Sequence, residues 1–100
     1  MSKYYKPTAT MDARAVIEKH LAFGEYMKGL REAKGWTQRE LAELVGVTDN
    51  HISDIENAKR KMGPERYRQF AAVFGIDRAE FGKVILQHYD PLTYDLIFGS

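Results

Sequence analysis

The sequence predicts an all-α fold, and three observations favour that class. Apolar residues recur at helical spacing in successive runs, and each run begins or ends at a capping residue, a glycine or a proline. The chain has no stretch with the apolar–polar alternation of a half-buried strand. Only a few residues separate the second and third periodic runs, so these two helices must cross at a tight corner.

Composition and charge describe one small soluble domain. The chain has 100 residues, of which 44% are hydrophobic and 29% are charged. It contains no cysteine, which excludes a disulfide framework and thiolate metal sites. Because no apolar run reaches the length of a signal peptide or a membrane span, we expect a cytoplasmic protein without a membrane partner. A net charge of +1 does not by itself indicate nucleic-acid binding, so the position of the charge matters.

The first helical region begins after a polar segment, residues 1–10, which we expect to be a frayed tail. Asp12 is a plausible N-cap for the run that follows. The apolar positions of that run are Ala13, Val16, Ile17 and Leu21. Gly24 is expected to break or bend the helix, and a second periodic run then ends at Lys34 and Gly35.

The second and third helices have clear start and stop signals. Thr37 with Glu40 three residues later forms a predicted capping box, and Gly46 ends that helix. The predicted apolar face of the second helix consists of Leu41, Leu44 and Val45. Thr48 is the predicted cap of the third helix, which Ile52 and Ile55 anchor to the core.

The corner between these helices leaves one face of the third helix exposed. Ala42 is small enough for a close crossing, and Gly46 can adopt a positive φ that reverses the chain. The residues expected to face outward are Thr48, Asp49, Asn50, Ser53, Asp54 and Asn57. Such a short polar row fits a DNA major groove about 12 Å wide.

Two further helices are predicted beyond a basic loop with the sequence "AKRKMGPE". Pro64 opens the fourth helix and Gly75 closes it. Asp77 caps the fifth helix, and Pro91 ends it. The remaining tail is unusually apolar for a chain terminus, with Leu92, Tyr94, Leu96, Ile97 and Phe98.

The stretch "GEYMKGLREAKGWTQRELAELVGVTDNHISDIENAKRK", followed by "FGID", resembles the lambda-repressor-like, Xre-type helix-turn-helix family of bacterial and phage regulators. The small residue, the glycine, the aliphatic residues and the "IEN" ending all match, over about residues 23–84. The resemblance implies a five-helix lambda-repressor-like domain that regulates transcription. Its recognition helix, about residues 48–57, would enter the major groove of double-stranded DNA. We accordingly divide the chain into an N-terminal tail and helical extension (1–22), the helix-turn-helix domain (23–88) and a C-terminal tail (89–100).

The resemblance also implies roles for individual residues. Base-reading positions correspond to Asp49, Asn50 and Asp54. Phosphate contacts are expected from Gln38, Arg39, Thr48, Ser53, Asn57, Lys59, Arg60 and Lys61. Arg31 and Glu56 correspond to a structural ion pair that joins the first and third helices.

Three features depart from the family pattern, and one is that a helix-like N-terminal segment and a hydrophobic C-terminal tail lie outside it. Asp49 and Asp54 are carboxylates at positions that often hold uncharged residues, which suggests either a C·G-containing site or weak binding. The charge of Asp49 also suits the first turn of a helix, and this structural role is an equal alternative. Ala58 occupies a position where glycine is common, so either alanine adopts a left-handed conformation at a cost of about 1 kcal/mol or Asn57 takes the turn.

Other candidate sites have simpler explanations. A basic run such as Lys59–Lys61 is usually a solvated face, although its position beside the recognition helix favours phosphate binding. His20, His51 and His88 are scattered without metal-ligand spacing, so we expect no metal, no cofactor and no enzymatic activity. The sequence gives no sign of a small-molecule effector.

The apolar C-terminal tail either folds back on the fifth helix or packs against a second subunit. We hypothesise a homodimer interface formed or supported by Phe81, Ile85, Tyr89, Leu92, Tyr94, Leu96, Ile97 and Phe98. A different class of function is the alternative. In that case the corner is a scaffold, the acidic face repels DNA, and the tail binds a protein partner as in an antitoxin-like complex.

Overall fold

The computed structural model describes residues 13–99 and is all-helical over that range, which confirms the predicted class. The helices are α1 (Ala13–Ala33), α2 (Gln38–Val45), α3 (Asp49–Glu56), α4 (Tyr67–Phe74), α5 (Arg78–Tyr89) and α6 (Pro91–Phe98), with a 3-10 turn at Pro64–Arg66 before α4. The predictions for residues 1–10 and for Asp12 as an N-cap lie outside the described residues.

The corner between α2 and α3 forms as its local signals predict. Thr37 Oγ1 accepts a hydrogen bond from the Glu40 backbone N–H (3.0 Å), and Glu40 Oε1 accepts one from the Thr37 N–H (2.8 Å), which completes the capping box. Gly46 ends α2 in the left-handed region with a φ of 75°. Thr48 then caps α3 through a 3.1 Å bond from the His51 N–H. The turn is short, and α2 therefore packs directly on α3.

The sequence predicted a break or a bend at Gly24, and no break occurs, since α1 continues through this residue. Gly24 is buried where α1 crosses the end of α3. A Cβ atom here would collide with the carbonyl oxygen of Glu56 and would lie 3.1 Å from that of Ile55. Glycine is therefore needed for the close approach of two helices. The domain boundary placed after residue 22 falls inside this continuous helix.

The hydrophobic core lies between α1, the helix-turn-helix and α4–α5. Its buried side chains include Phe23, Met27, Leu41, Val45, Ile52, Ile55, Met62, Phe70, Phe74, Phe81 and Ile85. The prediction that Leu44 belongs to the buried face of α2 is wrong, since its side chain is 53% exposed. The buried face of α2 consists of Leu41, Ala42 and Val45, and the small side chain of Ala42 allows α3 to approach closely.

The C-terminal tail, for which the sequence predicted no helix, forms a sixth helix beyond the five helices α1–α5. Pro91 ends α5 as expected, but it also occupies the first turn of α6, where a missing N–H costs nothing. Asp90 caps the new helix, since its Oδ1 accepts a bond from the Thr93 N–H (3.1 Å). Helix α6 packs on α5, yet each of its residues stays half-buried or exposed.

Tyr89 joins three elements at the end of α5. Its hydroxyl oxygen accepts a hydrogen bond from the Met62 backbone N–H (2.9 Å), and its ring centroid lies 4.8 Å from that of Phe23. Phe81 and Ile85, on the same helix, are buried in the core. These two residues can therefore support a subunit interface from beneath but cannot contact a partner directly.

Within residues 13–99, no helix combines the length and apolar character that crossing a bilayer requires.

Candidate nucleic-acid interface

The polar row predicted on α3 lies at the protein surface. Thr48, Asp49, Asn50 and Asn57 are exposed, whereas Ser53 and Asp54 are half-buried. The structure therefore brings all the residues of this row to the accessible side of one helix. In the first turn, Asp49 Oδ1 accepts a bond from the Asn50 backbone N–H (2.9 Å), so this carboxylate has a structural role in the free protein.

The opposite side of α3 is held by a buried ion pair. Arg31 donates to Glu56 through Nε (2.7 Å to Oε2) and through Nη2 (3.1 Å to Oε1). Its Nη1 donates to the carbonyl oxygen of Trp36 (2.8 Å), so the guanidinium binds both α3 and the segment before α2. The hydrogen bond to Glu56 raises the pKa of Arg31, which stays charged.

Gln38 extends this pair to the first residue of α2. Its Nε2 donates to Glu56 Oε1 at 3.0 Å. Glu56 thereby receives bonds from α1 and α2, and both helices fix the C-terminal end of α3. Gln38 is half-buried, and Arg39 beside it is exposed.

The end of α3 resolves the alternatives left open by the sequence. Ala58 has a φ of 60°, and it is the one residue other than glycine with a positive φ among residues 13–99. Asn57 does not take the turn, because its φ is −97°. The Lys59 N–H donates to the Asp54 carbonyl (2.8 Å) and the Ala58 N–H to the Ile55 carbonyl (3.2 Å), which is a Schellman turn. Alanine at this position costs about 1 kcal/mol relative to glycine.

The basic loop after this turn lies against α3 at one point and against α5 at another. Lys59, Arg60 and Lys61 are all exposed. Arg60 Nη1 lies 3.2 Å from His51 Nδ1 on α3, and Lys61 Nζ lies 5.3 Å from the Tyr89 ring centroid. Cationic side chains are thus placed at the C-terminal end of the polar row.

His51 has a pKa below its ordinary value. Partial burial is the first cause, and the positive charges of Arg60 and Arg66 add to it. The imidazole is therefore neutral at pH 7.

Among the described residues, no group of three or more histidine, aspartate or glutamate side chains is arranged to hold a metal ion.

Two contacts of this region have little or no sequence signal. Met62 is a lone apolar residue in a basic loop, and this isolation is a weak sign of its burial. No local motif predicts the hydrogen bond between Met62 and Tyr89. The same is true of the contact between His51 and Arg60. The second contact also depends on the left-handed conformation of Ala58, which the sequence left open.

Comparison with known proteins agrees with this geometry. A family model described as a helix-turn-helix domain matches residues 22–82. The chain is also similar to the HTH-type transcriptional regulator PuuR of Escherichia coli (strain K12) and to that of Shigella flexneri. Each is 34% identical over 61 residues, which is 61% of this chain and 33% of the relative, so the chain spans about a third of the length of the curated relatives it matches.

The matched residues contain the capping box, the Gly46 corner and the polar row of α3. They also contain the buried pair that fixes α3 to α1. The resemblance to helix-turn-helix regulators is confirmed, and the chain belongs to the helix-turn-helix domain family.

Proposed function

We propose that the chain is a sequence-specific DNA-binding transcriptional regulator that inserts α3 into the major groove. The observation that carries this proposal is the accessible polar row of α3 with cationic side chains at its C-terminal end. An α-helix fits the major groove, where each base pair presents a distinct pattern of donors and acceptors. The printed names of the relatives, both HTH-type transcriptional regulators, support the same class.

Three side chains of α3 are the proposed base readers. Asn50 can donate to and accept from the edge of adenine, and a carboxylate of Asp49 or Asp54 can accept from the N4 amino group of cytosine. Because Asp49 already accepts from a backbone N–H, we assign the stronger cytosine preference to Asp54. The reading face is therefore acidic and favours sites that contain C·G pairs.

Phosphate contacts surround this face in the proposal. They are assigned to Gln38, Arg39, Thr48, Ser53, Asn57, Lys59, Arg60 and Lys61. Such contacts fix the register of the protein on the duplex and carry no sequence information. They also offset the repulsion between phosphates and the two aspartates.

A homodimer is a further part of the proposal. Tyr89 and the exposed or half-buried side chains of α6 would form its interface: Leu92, Tyr94, Leu96, Ile97 and Phe98. Two-fold symmetry would match palindromic half-sites about 34 Å apart. Support comes from the apolar patch on α6, where Leu92, Leu96, Ile97 and Phe98 are 50%, 85%, 60% and 45% exposed and a second subunit would cover them.

Selection of bound fragments from a random duplex library tests the proposal. We expect a palindromic motif, and an affinity whose logarithm falls linearly with the logarithm of salt concentration. Asn50→Ala and Asp54→Ala should relax the preference at single positions of the motif. The control Lys59→Ala should weaken binding to all sequences alike and should reduce the salt slope by about 1.

Failure to enrich any motif at low salt would overturn the assignment, since phosphate attraction is then strongest. If no motif is enriched, the exposed apolar residues of α6 favour a second candidate function, which is a protein-interaction module. The helix-turn-helix would be a scaffold, and α6 would bind a protein partner.

A further inference from the structure

The side chains of His51 and Arg60 meet on the exposed side of α3. Arg60 Nη1 lies 3.2 Å from His51 Nδ1. A guanidinium carries only donors, so Nδ1 must be the acceptor. The imidazole in this contact is consequently neutral, with its proton on Nε2.

The backbone brings Arg60 to this position. The N–H groups of Lys59 and Arg60 both donate to the Asp54 carbonyl oxygen, at 2.8 and 3.2 Å, so the chain folds back over the last turn of α3. His51 and Asp54 are three residues apart and therefore lie on the same side of the helix. The contact thus follows from the turn at Ala58 and lies beside a proposed base reader.

Four charged groups influence the protonation of His51. Arg60 in the loop and Arg66 in the 3-10 turn disfavour the imidazolium, while Asp54 on α3 and Glu65 beside Arg66 favour it. Burial and the two arginines outweigh the two carboxylates, so the pKa of His51 lies below its ordinary value. The state that can accept from Arg60 is therefore the state present at neutral pH.

We propose that His51 is a positioning residue for DNA binding, whose neutral imidazole orients Arg60 toward a phosphate beside the recognition helix. This inference rests on the proposed function and adds a residue whose role is indirect. An arginine already held in place loses less side-chain freedom when it binds a phosphate. When pH falls through the pKa of His51, protonation removes the acceptor and places two cations side by side, so the positioning ends.

A double-mutant cycle measures this role through DNA affinity. The variants are His51→Ala, Arg60→Ala and both together, and the probe is a fluorescein-labelled duplex with the motif enriched by the wild-type protein. If selection yields no motif, a mixed-sequence duplex of 20 base pairs at low salt replaces it, because phosphate contacts do not depend on sequence.

We expect the effects of His51→Ala and Arg60→Ala to be non-additive by about fivefold in Kd. The matched control pairs His51→Ala with Lys59→Ala in the same loop, and these effects should multiply to within about twofold.

His51→Gln adds a readout that a merely structural role would not change. The glutamine amide oxygen can accept from Arg60 at any pH, so this variant should keep the coupling to Arg60. Coupling in the wild-type background should be present above the His51 pKa, as titrated by NMR, and lost below it, whereas coupling in the His51→Gln background should be equal on both sides of that pKa. Circular dichroism verifies that each variant is folded.

Nitrogen NMR of the free protein tests the contact without DNA. We expect the Nε2–H tautomer of His51, and a higher His51 pKa in Arg60→Ala because one opposing positive charge is gone. An Nδ1–H tautomer, or an additive cycle in a wild-type protein that binds DNA, would overturn the inference and leave the proposed function intact. Absence of all DNA binding at low salt would instead overturn the proposed function, and this inference with it.

Discussion

The two halves of α1 follow the same helical period but have different surroundings. In the C-terminal half, Phe23, Met27 and Arg31 are buried, and this half packs on α3 and α5. In the N-terminal half, Ile17 and Leu21 are 57% and 47% exposed, whereas His20 is half-buried with its ring centroid 5.5 Å from that of Tyr89. Periodicity therefore identifies residues that share a face of a helix, but it does not say whether a neighbouring element covers that face.

The covered half forms what we term the α1–α3 junction, which comprises Gly24, Arg31, Ile55 and Glu56. It combines a backbone approach that only glycine allows with a buried ion pair. Helix α6 resembles the N-terminal half of α1 in that it carries exposed apolar side chains, and Leu96 is 85% exposed. Substitutions at the junction should consequently affect folding, whereas substitutions on α6 should affect association.

The largest loss of stability is expected from Arg31→Ala. Arg31 and Glu56 are 8% and 7% exposed, so removal of one partner leaves an unpaired buried carboxylate. We expect the free energy of unfolding to fall by about 3–5 kcal/mol, measured by urea denaturation. The control is Lys83→Ala, which removes an exposed 3.7 Å pair with Glu80 and should cost less than about 1 kcal/mol. Equal losses in the two variants would contradict the distinction between buried and exposed pairs.

Two glycines of α1 should respond to alanine with opposite signs. At Gly24 the new Cβ would meet the Glu56 backbone, and we expect a loss of about 2 kcal/mol. At Gly29 no heavy atom lies within 4 Å of the Cβ position, so Gly29→Ala should stabilise the helix by about 1 kcal/mol. Thermal and urea unfolding of both variants measures the difference. A gain for Gly24→Ala would mean that α1 and α3 can separate without cost.

Three features that depend on neighbouring residues in the chain were predicted correctly, although the equally local Asp90 cap of α6 was missed. The capping box of Thr37 and Glu40, the Gly46 turn and the Asp77 cap each involve groups at most four residues apart. Their hydrogen bonds form whatever the tertiary context, so the sequence is sufficient to predict them.

Features that depend on distant residues were missed or left open. Gly24 was expected to break or bend a helix, because the contact that requires glycine there is with the end of α3, about thirty positions away in the chain. Leu44 has helical spacing relative to Leu41 and was expected on the apolar face, yet its side chain is 53% exposed. In the candidate interface, the polar row followed from periodicity, whereas the contact between His51 and Arg60 needed the turn at Ala58.

The turn at Ala58, which follows α3, offers a substitution that should increase stability. Ala58 has a φ of 60°, a conformation that glycine adopts without strain. Ala58→Gly should therefore raise the free energy of unfolding by about 0.5–1 kcal/mol, a gain reduced by the greater freedom of glycine in the unfolded chain. The control Gly46→Ala, at a φ of 75°, should lose about 1 kcal/mol. A loss for Ala58→Gly in urea unfolding would show that the alanine methyl group contributes more by packing than its backbone conformation costs.

The smallest effect on folding is expected on α6. The side chain of Leu96 is 85% exposed, so Leu96→Asp should change the stability of the isolated chain by less than about 0.5 kcal/mol. Burial of a charge in a dimer interface is costly, and the dissociation constant should rise at least about tenfold in sedimentation equilibrium. The matched control is Leu44→Asp, at a leucine that is 53% exposed on α2.

Dimer formation also makes the melting temperature depend on protein concentration, because association stabilises the folded state by mass action. The melting temperature of the wild-type protein and of Leu44→Asp should rise with concentration, whereas that of Leu96→Asp should stay constant. A wild-type melting temperature that does not change with concentration, together with a monomeric mass, would exclude the homodimer. The exposed apolar residues of α6 would then require a different partner.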